Sequence, residues 1–215
     1  MANIKMDCVS DTHGAQPALP GGDILVVAGD ISYQGEPREL SAFNAWVSKQ
    51  NYAAKVLIAG NHDWLFERDP GLAKSLVPAV THYLQDSGAT IMGLRFWGSP
   101  VQPEFMNWAF NRRRGAEIKR HWDRIPPEID VLVTHGPPHG ILDKTEEGLL
   151  VGCEELATAV RRIKPKVHIF GHIHEGYGHV RQEGTLFVNA SIMTERYEPL
   201  NKPITIHMRD GEIIV

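Results

Sequence analysis

Residues 4–14 read Ile-Lys-Met-Asp-Cys-Val-Ser-Asp-Thr-His-Gly. The short apolar run Ile4–Val9 has the composition of a strand, and it delivers Asp11 and His13 as soon as it ends. The same arrangement recurs four times. Asp23–Ala28 runs into Gly29-Asp30, and Lys55–Ala59 into Gly60-Asn61-His62-Asp63. Ile129–Thr134 runs into His135-Gly136, and Val167–Phe170 into Gly171-His172-Ile173-His174. In open α/β sheets, ligands bind beyond the carboxyl ends of the strands. Five segments that carry Asp, Asn and His to that one edge predict a convergent site.

Helical periodicity lies between these strands. Pro37 to Gln50 opens with a proline suited to a first helical turn and spaces Leu40, Phe43, Trp46 and Val47 on one face. Gly152 to Ile163 repeats the pattern with Cys153, Leu156, Val160 and Ile163, and Arg113 to Arg124 reads as a more polar surface helix. Near the C-terminus, Val180–Gln182 and Leu186–Val188 flank a Glu183-Gly184 turn, a hairpin signal. Ile204–Met208 and Glu212–Val215 flank Asp210-Gly211, a stronger one. Strands alternating with helices and ending in hairpins predict an α/β sandwich of mixed sheets packed together, with helices outside. No repeat, low-complexity tract or linker divides the chain, so a single domain over residues 1–215 is expected.

The 215 residues suffice for a sizeable core, and 42% apolar with 22% charged residues excludes a disordered chain. A net charge of -4 leaves no footprint for stable nucleic-acid binding. Metal ions can nonetheless supply local positive charge for an anionic phosphoester. Cys8 and Cys153 lie in apolar stretches and read as buried, reduced thiols. Neither a secretory h-region nor a membrane-length apolar run occurs, so a soluble cytoplasmic protein without membrane partners is expected.

Imidazole nitrogen together with carboxylate oxygen suits Mn, Fe, Zn or Co better than Ca. No thiolate lies among these residues, which argues against a closed structural zinc site. The spacings Asp11-x-His13 and His172-x-His174 put both side chains on one side of an extended segment.

This series of motifs, from residue 10 to residue 174, resembles the calcineurin-like metallophosphoesterases. Ser10-Asp11-Thr12-His13-Gly14, Trp108-Ala109-Phe110-Asn111, Thr134-His135-Gly136-Pro137-Pro138 and Gly140-Ile141-Leu142-Asp143 are similar to the small metallophosphoesterase-domain branch of that superfamily. The resemblance implies a four-layer α/β/β/α sandwich and two bound metal ions. Asp11, His13 and His174 would hold the first. Asn61, His135 and His172 would hold the second, and Asp30 would bridge them. His62 would stand beside the scissile phosphate as the catalytic acid, with a bridging hydroxide as nucleophile. Where the protein Ser/Thr phosphatases of this superfamily carry an Asp and an Arg, this chain has Tyr33 and Gln34, which argues against protein phosphatase activity. That difference leaves the group that orients His62 unidentified, and Asp63 stands where those enzymes have Glu.

The expected activity is hydrolysis of a small phosphoester, foremost a phosphodiester of small or cyclic nucleotides. A broad phosphomonoesterase is the alternative within the enzymes, and a non-catalytic interaction module on the same fold is the alternative outside them. His139, four residues past His135, is a candidate substrate contact. Arg112, Arg113 and Arg114 read as a solvated helix start. Trp64, Phe66, Trp97, Phe105 and Trp108 read as core, and any that rim the site would favour a nucleotide.

Overall fold

The computed structural model describes residues 3–209 and 212–215. In chain order the elements are β1 (Ile4–Val9), β2 (Ile24–Ala28), α1 (Pro37–Val47), β3 (Ala54–Ile58), α2 (Trp64–Arg68) and α3 (Pro70–Leu76). Then come β4 (His82–Tyr83), β5 (Ser87–Ile91), β6 (Leu94–Ser99), β7 (Gln102–Pro103), β8 (Asn111–Arg112) and α4 (Ala116–Trp122). The rest are β9 (Val131–Thr134), α5 (Glu154–Ile163), β10 (Val167–Phe170), β11 (Gly178–Gln182), β12 (Thr185–Asn189), β13 (Ile204–Arg209) and β14 (Glu212–Ile214).

Two six-stranded sheets result, ordered β14-β13-β1-β2-β3-β4 and β11-β12-β10-β9-β6-β5. Each has a parallel centre, with antiparallel pairing on one side of the first and at both edges of the second. In the first, Cys8 faces Val26 and Val26 faces Val56 in parallel register, while β13 runs antiparallel to β1. In the second, Val167 pairs with both Val131 and Leu186 in parallel register, and β5 and β11 close the edges antiparallel.

Side-chain alternation explains the layering. Met6, Cys8, Val26, Val56 and Ile58 point inward and meet Val131, Val133, Ile169 and Val188 of the other sheet. Their neighbours Val9, Leu25, Val27 and Leu57 point outward and are covered by Leu40, Phe43, Trp46 and Val47 of α1 with Ala73 of α3. On the far side, Leu132, Phe170 and Phe187 are covered by Ile118 and Trp122 of α4 and by Leu156, Val160 and Ile163 of α5. Central strands β2, β9, β10 and β12 are buried along their whole length, as strands covered on both faces must be. The order of layers is therefore α/β/β/α, as expected.

Local chemistry sets the helix limits. Helix α1 starts where Glu39 reaches back to the Glu36 amide in a capping box, with Pro37 in the first turn. Helix α5 starts two residues later than its apolar pattern, because Cys153 is the extended cap whose sulfur accepts from the Leu156 amide. Helix α4 begins only at Ala116, since Gly115 turns the chain at φ 82°. The β11–β12 hairpin forms around Glu183-Gly184. β13 and β14 pair antiparallel, and the Asp210-Gly211 turn expected between them lies outside the described residues. The β5–β6 hairpin was not legible. Its first strand, Ser-Gly-Ala-Thr-Ile, is small and polar, yet β6 sits in the parallel centre beside β9. Cys8 and Cys153 are free and buried, and among the described residues no helix is long and apolar enough to cross a membrane.

Candidate metal centre

The loops that leave β1, β2, β9 and β10 are stitched together beyond the strands. The Asp11 amide donates to the Gly29 carbonyl at 3.0 Å and the His13 amide to Asp30 at 2.9 Å. Gly171 donates to the His135 carbonyl at 2.9 Å. The His172 amide crosses from one sheet to the other, donating to the Asp11 carboxylate at 2.9 Å. Asp11, His13, Asp30 and His172 have φ values of 50°, 42°, 52° and 68°. Four non-glycine residues in the left-handed region within one site mark backbone strain held by the surrounding bonds.

Side chains pack against glycine where backbone and ligand must approach closely. A Cβ on Gly60 would fall on the Asp30 carboxylate and the His135 ring, and one on Gly171 would fall on the Asp11 carboxylate. Gly60→Ala is expected to cost turnover at least about 100-fold, the effect of displacing a site by around an ångström. Circular dichroism should be unchanged, and a variant with full activity would show that Asp30 needs no such seat.

All seven residues expected to bind metal converge. Asp11, His13 and His174 bring donor atoms within 4.8 Å of one another, and so do Asp30, His135 and His172. Asn61 joins the second group through its Oδ1, 2.9 Å from His135 Nε2. Asp30 Oδ2 lies between the groups, 3.7 Å from His13 Nε2 and 3.3 Å from His135 Nε2.

Backbone carbonyls orient the imidazoles. His13 Nδ1 donates to Ser32 at 3.1 Å, His135 Nδ1 to Ala28 at 2.9 Å and His174 Nδ1 to Thr194 at 2.9 Å. A carbonyl can only accept, so each ring turns Nε2 toward the carboxylates, the arrangement that metal-binding histidines use. His62 follows the same rule: its Nδ1 donates to the Tyr33 carbonyl at 2.8 Å. The group that orients His62 is therefore main chain, which explains why no acidic side chain marked it in the sequence. Its Nε2 lies 4.0 Å from Asp30 Oδ2, and its ring lies on Trp108 at 4.1 Å between centroids. Asp63 accepts from the amides of Ile31, Ser32 and Gly60 and from the Ser32 hydroxyl. It pins the Asp30 loop to the Asn61 loop, so the shorter acid at this place has a positioning job.

The electrostatics fit a cation. Burial would raise the Asp11 carboxyl, but the imidazoles of His174, His135 and His13 outweigh it and hold Asp11 well below the carboxylate range. The same contest leaves Asp30 at about 2, with His135 the strongest opposing partner. Burial also pushes His13 down, so its ring is neutral, and it pushes His172 down to about 4. With Nδ1 committed to Ser32, the buried Nε2 of His13 has a lone pair, no hydrogen-bond partner and two carboxylates nearby. Such a group is costly unless a positive ion satisfies it. The nitrogen and oxygen donors suit a divalent transition metal.

Asp30, Asn61, His62, His172 and His174 open on a cleft of roughly 590 Å³, also lined by Phe105, Trp108, Arg114 and Tyr197. His139 is not brought there. It lines a separate cavity of roughly 180 Å³ with Arg161 and Lys164. The aromatics divide: Phe66 is core with Trp64 packed on its cluster, Trp97 packs on the cluster beneath α4 and α5, and Phe105 and Trp108 rim the cleft. Arg114, expected in solvent, binds the carbonyls of Val151 and Gly152 at 2.8 Å and the Glu154 carboxylate. Tyr33 and Tyr197, which sequence reasoning passed over as site residues, pack at a tilt against His13, with ring centroids 5.0 and 5.1 Å away.

Comparison with known proteins agrees with this geometry. Metallophosphoesterase domain-containing protein 1 of Homo sapiens is 41% identical over 227 residues, covering 94% of this chain and 70% of that protein. The crystal structure of TT1561 of Thermus thermophilus superposes with a TM-score of 0.62 at 15% identity, over 87% of this chain and 89% of that one. The phosphopantetheinyl hydrolase of Mycobacterium tuberculosis does so with a TM-score of 0.56 at 15% identity, over 93% and 95%. These two likenesses show the fold. Residues 5–176 match the family model described as calcineurin-like phosphoesterase, and the chain belongs to that family.

Proposed function

We propose that this chain is a metal-dependent phosphodiesterase of small or cyclic nucleotides. In this reading Asp11, His13 and His174 hold one divalent ion, Asn61, His135 and His172 hold a second, and Asp30 serves both. The observation that carries it is the meeting of two donor groups at Asp30, with His62 beside them and oriented by a backbone carbonyl. Bound cations, with Mn, Fe or Zn as the candidates, supply Lewis-acid charge and lower the pKa of water at the site. Asp11 and Asp30, both ionised, balance that charge. His62 presents Nε2 to the substrate because Nδ1 is committed to Tyr33, and it places a proton on the departing alkoxide.

A diester is favoured over a monoester by what surrounds the centre. Arg114 is the one Lys or Arg among the described residues that line the cleft, and its guanidinium is engaged by Val151, Gly152 and Glu154. Nothing of that kind is free for the second charge of a terminal phosphate. Aromatic Trp108 and Tyr197 at the rim favour a substrate with a flat group, as a nucleotide has.

The test is to strip the protein with chelator and assay bis-p-nitrophenyl phosphate and p-nitrophenyl phosphate before and after Mn²⁺ is added. Restored turnover that favours the diester is expected. Faster monoester turnover would replace this reading with a phosphomonoesterase, and no turnover with any first-row metal would replace it with an interaction module.

A further inference from the structure

We propose that the cleft beside His62 selects the departing alcohol of the diester by shape and charge. A flat, uncharged arm lies on an apolar shelf, and a rim of glutamates turns away an arm that carries further negative charge. This rests on the phosphodiesterase reading above.

Three separate segments build the shelf. Phe105, Met106 and Trp108 come from the connection between β7 and β8, Leu149 from the loop that follows β9, and Tyr197 from the loop before β13. Phe105 is 60% exposed, Met106 71% and Leu149 61%. Large apolar side chains scattered singly over a surface need no explanation, but here they face one cleft. The shelf is continuous with the catalytic group, because Trp108 lies on the His62 ring at 4.1 Å between centroids. An alcohol that takes its proton from His62 therefore leaves over Trp108, with Phe105 and Leu149 farther out.

Charge at the mouth points the same way. Glu104, Glu147 and Glu175 line the cleft, and all three are exposed. Glu104 has only a loose partner, Arg113 at 4.0 Å, and that guanidinium is 81% exposed. Arg114 turns its donors to Val151, Gly152 and Glu154. Among the described residues that line the cleft, then, an anionic arm meets carboxylates and no lysine or arginine with free donors. Donors such as the amino group of a base, or a hydroxyl, find acceptors there.

The test uses a matched pair of esters with the Mn²⁺-loaded protein: methyl 4-nitrophenyl phosphate and methyl 3-carboxy-4-nitrophenyl phosphate. The methyl arm is too small to occupy the shelf, and the pair differs by one carboxylate on the leaving arm. The carboxylated ester is expected to show kcat/KM lower by about tenfold, the scale of like-charge repulsion at a partly screened site. In Glu147→Gln/Glu175→Gln the two esters should come within about threefold of each other. Phe105→Ala/Leu149→Ala should raise KM for the uncharged ester about tenfold while kcat holds, because the lost contact is apolar burial of the ring.

Saturation-transfer NMR on Zn²⁺-loaded protein with benzyl(methyl)phosphinate, a monoanion that has no ester bond to cleave, gives a readout independent of turnover. Its ring protons should receive saturation from wild type and lose it with Phe105→Ala/Leu149→Ala. Equal handling of both esters by wild type, a penalty that persists in the glutamine variant, or an unchanged KM and NMR contact in the alanine variant would overturn the proposal. Turnover of neither ester by wild type would instead overturn the phosphodiesterase reading, and this one with it.

Discussion

Alanine at His62 is expected to lower turnover by roughly 10²–10⁴-fold while the protein keeps its full metal content. Geometry makes both halves of that expectation specific. His62 reaches Asp30 Oδ2 only at 4.0 Å, whereas His135 approaches to 3.3 Å and His13 to 3.7 Å. It is the farthest of the three imidazoles from the shared carboxylate, and the one that faces the cleft with an aromatic ring against it. A proton donor to a departing oxygen belongs at the edge of a metal centre, within reach of substrate and outside the coordination shell. The competing assignment is real, since His13, Asp30 and His62 also bring donor atoms within 4.8 Å of one another. Metal analysis on purified His62→Ala decides between them. A variant that loses metal in proportion to activity would make His62 a ligand and leave the proton donor unassigned. A variant that keeps metal and loses kcat, with KM little changed, would support the acid.

Much of this architecture was legible because the motifs sit at strand ends. An apolar run followed at once by Gly-Asp or Gly-His-x-His fixes both where a strand stops and what it delivers, so β1, β2, β3, β9 and β10 were read together with the Asp, Asn and His residues at their ends. What could not be read was main chain or long-range contact. The carbonyls of Ser32, Tyr33, Ala28 and Thr194 that turn four histidines carry no side-chain signature. Tyr33 looked like a missing acid, and the acid's job had passed to its own carbonyl. Arg114 looked like a solvated residue because Gly152 and Glu154 lie 38 and 40 positions away. The placement of Trp108 over His62 rather than in the core, and of His139 outside the cleft, depends on loop paths that periodicity does not encode. The β5–β6 hairpin was missed because β5 is a largely uncovered edge strand of small residues without an apolar alternation of its own.

Asp30→Ala is expected to be more damaging than His62→Ala, with turnover reduced about 10³-fold or more and both metal sites depleted together. Asp30 Oδ2 lies 3.7 Å from His13 of one donor group and 3.3 Å from His135 of the other. The carboxylate also accepts from the His62 amide at 2.8 Å, so the substitution loosens the acid loop as well. Chelator-stripped protein separates the loss of metal from the loss of the carboxylate itself. Burial opposes ionisation of Asp30, but His135, then His13 and His62, bring its carboxyl down to about 2. An acid depressed on folding contributes stability above its unfolded value, near pH 4, and loses that contribution as pH falls toward 2. Burial likewise opposes charging of His135, and Asp30 followed by Asp11 raises it to about 9. A base raised on folding contributes stability below its unfolded value, near pH 6.5, and loses it as pH climbs through 9. In stripped protein the advantage of wild type over Asp30→Ala in thermal unfolding should therefore be greatest between about pH 4 and 6.5 and shrink on either side. If the stripped variant were instead the more stable protein across that range, desolvation of the carboxylate would outweigh its imidazole partners. Asp30 would then be a residue the fold tolerates only for the sake of the metal, and the wild-type advantage should appear once Mn²⁺ is restored.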